Sequence, residues 1–202
     1  MSINELKREV LKYYVRAYEE KLISGTSGNA SAFSRKKNVM VITPSGVDPA
    51  DLTESGMVVV SFDGKVLEGA GAPSSEWMMH ALIYRAVKEA KAVLHTHSAF
   101  AAAFAVAGQA VPELLPETAL YLKGGVPVCG YAPAGTFELA KIVSETLKTS
   151  TACLMRNHGV AVYGQNPKNA YMRAVCAEET AKICFYAKLL AGGEACMTPQ
   201  AP

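Results

Sequence analysis

The chain has 202 residues, half of them hydrophobic and 19% charged, with 20 basic and 18 acidic side chains and a net charge of +2. That composition excludes a disordered chain and leaves ample length for a buried core in one domain. No basic block and no basic stripe interleaved with aromatics occurs, which argues against nucleic acid as a partner.

The first predicted element is a helix over residues 4–23, with Leu6, Val10, Tyr13, Tyr14, Ala17 and Leu22 at helical spacing and Asn4 as candidate N-cap. Its charged, periodic start is unlike a secretory leader. The glycine-rich "SGTSGN" (24–29) then ends the helix. "ASAFSR", "NVMVIT", "MVVVSF" and "KVLEG" read as short strands separated by turns such as "PSGVDP" and "DG". Residues 75–90 are predicted helical, "KAVLHTH" (91–97) is a buried strand, and 98–107 form a further helix. The longest apolar run, "HSAFAAAFAVAG", is about a dozen residues, against roughly 20 needed to span a bilayer.

Residues 109–125 carry no clear period, and "VPVCGYAPAG" is an extended run ending in a turn. A helix over 135–149, a strand–turn–strand in "ACLMRNHGVAVYG" and a long closing helix over 166–191 complete the chain. Short strands followed by helices interleaved with strands imply a mixed sheet covered by helices, an α/β sandwich in one domain spanning 1–202. Cys129, Cys153, Cys176, Cys184 and Cys196 are odd in number and include no C-x-x-C, so they read as reduced, mostly buried thiols of a cytoplasmic protein and not as zinc ligands.

The chemistry concentrates in a few motifs. His95 and His97 sit one residue apart at the end of a strand, where positions i and i+2 face the same side. Two converging imidazoles are the start of a zinc site, although such pairs also occur without metal. His158, in "RNHGV", is the third candidate ligand, or else a polar turn residue. Glu76, in "APSSEW", stands at a helix start, where the helix dipole alone would favour a carboxylate. His80 shares its helix face and is read as structural. Ser74 and Ser75 fall where free backbone N–H groups favour an anion, and "SGTSGN" and "TPSG" are two further loops rich in hydroxyls and amides. Together the three loops would make a phosphate cradle without a lysine.

In "GTSGNAS", "TPSG", "PSSEW", "HTH" and "NHG", in that order and spacing up to about residue 191, the sequence resembles the class II aldolase family. That zinc-dependent group includes fuculose-1-phosphate aldolases, ribulose-5-phosphate 4-epimerases and the adducin head domain. The resemblance implies a three-layer α/β/α fold with a central, largely antiparallel sheet, and commonly a homotetramer with sites at subunit interfaces. It implies that His95, His97 and His158 bind Zn²⁺, with Glu76 binding or lying against the metal and serving as acid/base. Mn²⁺ or Co²⁺ also suits a nitrogen and oxygen ligand set. Substrate phosphate would be held by Asn29 with Thr26 and Gly28, by Ser45 and Gly46, and by Ser74 and Ser75.

The implied reaction is cleavage of a ketose 1-phosphate, fuculose- or 5-deoxyribulose-1-phosphate-like, to dihydroxyacetone phosphate and an aldehyde. The metal would polarise the C2 carbonyl and stabilise the enediolate left when C3–C4 breaks, and Glu76 would protonate C3. Alternatives within the resemblance are a ribulose-5-phosphate 4-epimerase, a methylthioribulose-1-phosphate dehydratase, a decarboxylase and a non-catalytic adducin-like module. The epimerases carry aspartate where this chain has Glu76, and a non-catalytic module would lack the metal set. Fuculose-type aldolases also use a tyrosine from the neighbouring subunit to protonate the C4 oxygen. The corresponding region, "PELLPETALYLKGG", offers Glu117 or, with a shift, Tyr121, and no tyrosine follows Tyr186.

Overall fold

The structure, a computed structural model, describes residues 1–192. Helix α1 spans Ile3–Glu19 and is capped by Ser2, not Asn4, in a capping box with Glu5. It ends earlier than predicted because Lys21 turns left-handed and the Leu22 and Ile23 amides fold back onto the Ala17 carbonyl.

Four strands follow, β1 (Gly28–Ser34), β2 (Val39–Ile42), β3 (Val58–Ser61) and β4 (Val66–Glu68). Helix α2 (Trp77–Ala86), strand β5 (Ala92–Thr96) and helix α3 (Ala99–Ala107) come next. Between α3 and β6 (Val128–Cys129) the aperiodic stretch forms a π-helical turn over Thr118–Leu122. The chain continues through α4 (Phe137–Thr146), β7 (Ala152–Met155), β8 (Val160–Gly164) and α5 (Pro167–Leu190).

The eight strands form one sheet in the order β4-β3-β2-β1-β5-β8-β7-β6. Every neighbouring pair is antiparallel except β6–β7, which is parallel. Alternate side chains along each strand feed two separate cores. Ala30, Ala32, Val41, Leu94 and Val162 pack against α1, α3 and α5. Phe33, Met40, Ile42, Val93, Met155 and Tyr163 pack against α2 and α4 on the other face. The α/β/α sandwich implied by the resemblance is present.

Helix α2 is shorter at both ends than the predicted 75–90 segment. Glu76 occupies its N-cap, with no side-chain capping bond, and Val87–Ala90 already turns toward β5. Cys129, Cys153, Cys176 and Cys184 are buried, and Cys196 lies outside the described residues. No described helix is long and apolar enough to cross a membrane.

Candidate active site

The site lies where β1, β5, the β7–β8 turn and the start of α2 meet. Asn29 on β1 pairs directly with His95 on β5, so both side chains leave the sheet together on the α2 side. His97 follows two residues on, just past the strand end. His158 arrives from the β7–β8 turn, and Gly159 beside it makes the approach possible. A Cβ at Gly159 would lie 2.4 Å from the Thr96 carbonyl oxygen and 3.0 Å from the His97 ring. Gly28 serves the same end, with a φ of +138° and a Cβ position 2.8 Å from the His95 carbonyl oxygen. Tyr14 of α1 donates to the Gly28 carbonyl and ties the glycine-rich loop to the core.

The three imidazoles pack edge to face with ring centroids 4.7–4.8 Å apart. His95 Nδ1 lies 3.0 Å from the Val160 carbonyl, and since a carbonyl only accepts, Nδ1 carries a proton and Nε2 is the nitrogen turned inward. That nitrogen is 2.9 Å from His97 Nε2 and 3.2 Å from Glu76 Oε2. His158 Nε2 is 3.6 Å from Glu76 Oε1. Glu76 is 6% exposed, and among the described residues its Oε1 has no hydrogen-bond partner. A buried carboxylate oxygen without a hydrogen bond and an inward-facing imidazole nitrogen beside it are what a cation would satisfy. A divalent metal therefore fits this donor set, with His95, His97 and His158 as the group able to hold it.

Burial opposes the charge of Glu76, yet His95, the Asn29 amide, His158 and His80 together outweigh it and hold its carboxyl below the usual range. Burial, reinforced by the neighbouring imidazoles, pushes His97 down to about 4 and lowers His158 as well. His80, wholly buried, is pushed down to about 3 by desolvation. It is structural, as read from the sequence, with both ring nitrogens hydrogen-bonded inside the protein.

All the residues expected to hold phosphate line one cleft with the metal set. Thr26, Gly28, Asn29, Ser45, Gly46, Ser74 and Ser75 share with Glu76 and the three histidines a cavity of about 180 Å³. The donors differ from those the sequence suggested. The Ser45 amide is spent on the Ala72 carbonyl and the Ser74 amide on Thr43, which leaves the hydroxyls of these two residues for a ligand. Ser74 Oγ accepts from the Glu76 amide, so its own proton is free to point elsewhere. The Asn29 side chain faces Glu76 and His80, an engagement the spacing of motifs did not suggest. Glu117 and Tyr121 line a different groove with Met172 and Ile183, so no single chain brings them to the cleft.

The helix-covered sheet thus converges three imidazoles on a buried carboxylate beside a hydroxyl-lined cleft, an arrangement able to hold a divalent metal. The chain belongs to the class II aldolase and adducin N-terminal domain family, whose model matches residues 8–185. It is 34% identical to an L-fuculose phosphate aldolase of Methanococcus vannielii, over 87% of this chain and 93% of that one. To an L-ribulose-5-phosphate 4-epimerase of Salmonella paratyphi C it is 34% identical, over 92% and 86%. A 5-deoxy-D-ribulose 1-phosphate aldolase of Bacillus thuringiensis is 31% identical, over 99% and 92%. Among solved structures, an L-fuculose 1-phosphate aldolase superposes with a TM-score of 0.90 at 36% identity, covering 97% of this chain and 91% of that one.

Proposed function

We propose that the protein cleaves a ketose 1-phosphate of the fuculose or 5-deoxyribulose type to dihydroxyacetone phosphate and an aldehyde. The observation that carries this reading is the Glu76 carboxylate held against three converging imidazoles at the floor of a hydroxyl-lined cleft. His95, His97 and His158 would hold the metal, Zn²⁺ by preference, with Glu76 beside it. What a divalent cation supplies at such a place is Lewis acidity toward a carbonyl oxygen.

The remaining work falls to the chain's own groups. The hydroxyls of Thr26, Ser45, Ser74 and Ser75, with the Gly46 loop, would anchor the phosphate and fix the distance from phosphorus to the reacting carbons. That distance sets C3 of the bound three-carbon unit against Glu76, which would take or return the proton there. The carboxyl suits this task because it is buried and, among the described residues, one of its oxygens accepts no hydrogen bond. The C4 oxygen needs a separate proton donor, and Glu117 and Tyr121 are the candidates, presented by a neighbouring copy in a homotetramer.

A screen of ketose 1-phosphates coupled to detection of dihydroxyacetone phosphate tests the reading. Release from fuculose 1-phosphate or 5-deoxyribulose 1-phosphate is the expected result. Similarity to the ribulose-5-phosphate 4-epimerase supports a second reading, 4-epimerisation of a ketose 5-phosphate. Turnover of ribulose 5-phosphate without release of a three-carbon product would favour it.

A further inference from the structure

A row of buried polar side chains stands behind Glu76. Asn29 Nδ2 donates to Glu76 Oε2 over 3.0 Å, and Asn29 Oδ1 lies 2.6 Å from His80 Nε2. Ser31 Oγ is 2.6 Å from His80 Nδ1 and 2.7 Å from the Tyr84 hydroxyl. None of Asn29, Ser31, His80 and Tyr84 is more than 6% exposed. Polar groups so deep are costly unless each is paired, and here each is.

The register of two elements produces the row. Glu76, His80 and Tyr84 recur at i, i+4 and i+8 along α2, a repeat of about 6 Å at 1.5 Å per residue. Asn29, Ser31 and Phe33 recur at i, i+2 and i+4 along β1, a repeat of about 6.6 Å. The two repeats nearly match, so one helix face and one strand face interleave rung by rung, closed by the stacking of Phe33 on Tyr84.

The direction of every bond follows from donor chemistry. An ionised carboxylate only accepts, so Asn29 turns its NH₂ to Glu76 and its carbonyl to His80. That carbonyl only accepts, so His80 carries its proton on Nε2. Burial keeps the imidazole neutral, which leaves Nδ1 bare to accept from Ser31, whose oxygen in turn accepts from Tyr84.

We infer that Asn29 is a positioning residue for the Glu76 carboxylate, locked in one amide orientation by His80, Ser31 and Tyr84. Pinning Oε2 in this way leaves Oε1, buried and without a hydrogen bond among the described residues, as the oxygen that handles the proton. The inference rests on the reading of Glu76 as acid/base, and it adds a role toward that carboxylate to the phosphate role that the family resemblance gives Asn29.

The kinetic test compares Asn29→Ala with Ser75→Ala in metal-loaded protein, by solvent deuterium exchange into C3 of dihydroxyacetone phosphate. Asn29→Ala should lower the maximal exchange rate by about 10–100-fold, the usual cost of losing a group that orients an active-site ligand. That loss should persist at saturating substrate, whereas Ser75→Ala should weaken substrate binding and phosphate inhibition with the maximal rate largely kept. Weakened phosphate inhibition with the rate retained in Asn29→Ala would overturn the inference, as would a variant unchanged in every respect. His80→Leu should repeat the Asn29→Ala loss, and His80→Gln, which keeps an N–H donor, should recover part of it. Equal losses in both would mean that His80 merely fills space. One readout is independent of the reaction. The ¹⁵N imidazole spectrum of the wild-type protein should show His80 as the Nε2–H tautomer, and the opposite tautomer would reverse the chain and overturn it. A protein without exchange but with that tautomer would refute the proposed reaction and leave the row of bonds standing.

Discussion

The two faces of the sheet are built from the same strands but do different work. On β1 and β5, Ala30, Ala32, Ala92 and Leu94 turn toward α1, α3 and α5 into an apolar core. Their neighbours Asn29, Ser31 and His95 turn toward α2 and are polar, buried and hydrogen-bonded. Farther from the site that same face is again apolar, with Phe33 and Val93 joining the second core. One face supplies cohesion, and the other trades part of it for a fixed arrangement of charge. Substitutions on the first should cost stability and spare the site, and those on the second should do the reverse.

The largest expected contrast is in metal. Wild-type protein should carry one divalent ion per chain, and His97→Ala should lose it while staying folded, as read by elemental analysis and circular dichroism. Equal metal content in both would break the contrast. Leu94→Ala, on the apolar face, should cost about 2–5 kcal/mol in denaturant unfolding and leave metal content unchanged. A smaller effect is expected at Ser75→Ala, which should weaken phosphorylated ligands by about tenfold, the scale of one hydrogen bond to a charged group. Unphosphorylated analogues should be spared, and an equal loss for both would move the cradle elsewhere.

The gentlest probe is pH. His80 and His97 titrate near 3 and 4 in the metal-free folded chain, against an ordinary 6.5. Between those limits the unfolded chain binds more protons, so folded stability is complete above about 6.5 and falls as the pH drops toward 4. Denaturant melts of metal-free protein at pH 7.5, 6 and 5 should show that ordered decline. Stability that rises on acidification would contradict the burial of neutral imidazoles.

Much of this was legible in the sequence. The i/i+2 spacing of His95 and His97 needs only the period of a strand, and "NHG" announces a tight turn able to bring a third imidazole close. The strands were placed to within a residue or two. What stayed hidden depends on partners in space. The Asn29 amide belongs to Glu76 and His80 only because β1 and α2 happen to run in matching register. The π-helical turn at Thr118–Leu122 has no period that a helix or strand pattern detects. Sequence position puts Glu76 in a first helical turn, whereas the structure makes it the N-cap and turns its side chain inward. The loops' composition offers the Ser45 and Ser74 amides to an anion, and only the pairing of those loops in space spends them on Ala72 and Thr43.

The central claim is that Glu76 moves the proton at C3 while three histidines hold the metal beside it. Solvent deuterium exchange into C3 of dihydroxyacetone phosphate tests it without any aldehyde. Metal-loaded wild type should exchange, and Glu76→Gln, with its metal and its phosphate affinity retained, should exchange about 10²–10⁴-fold more slowly. Exchange that survives undiminished in Glu76→Gln would contradict the account.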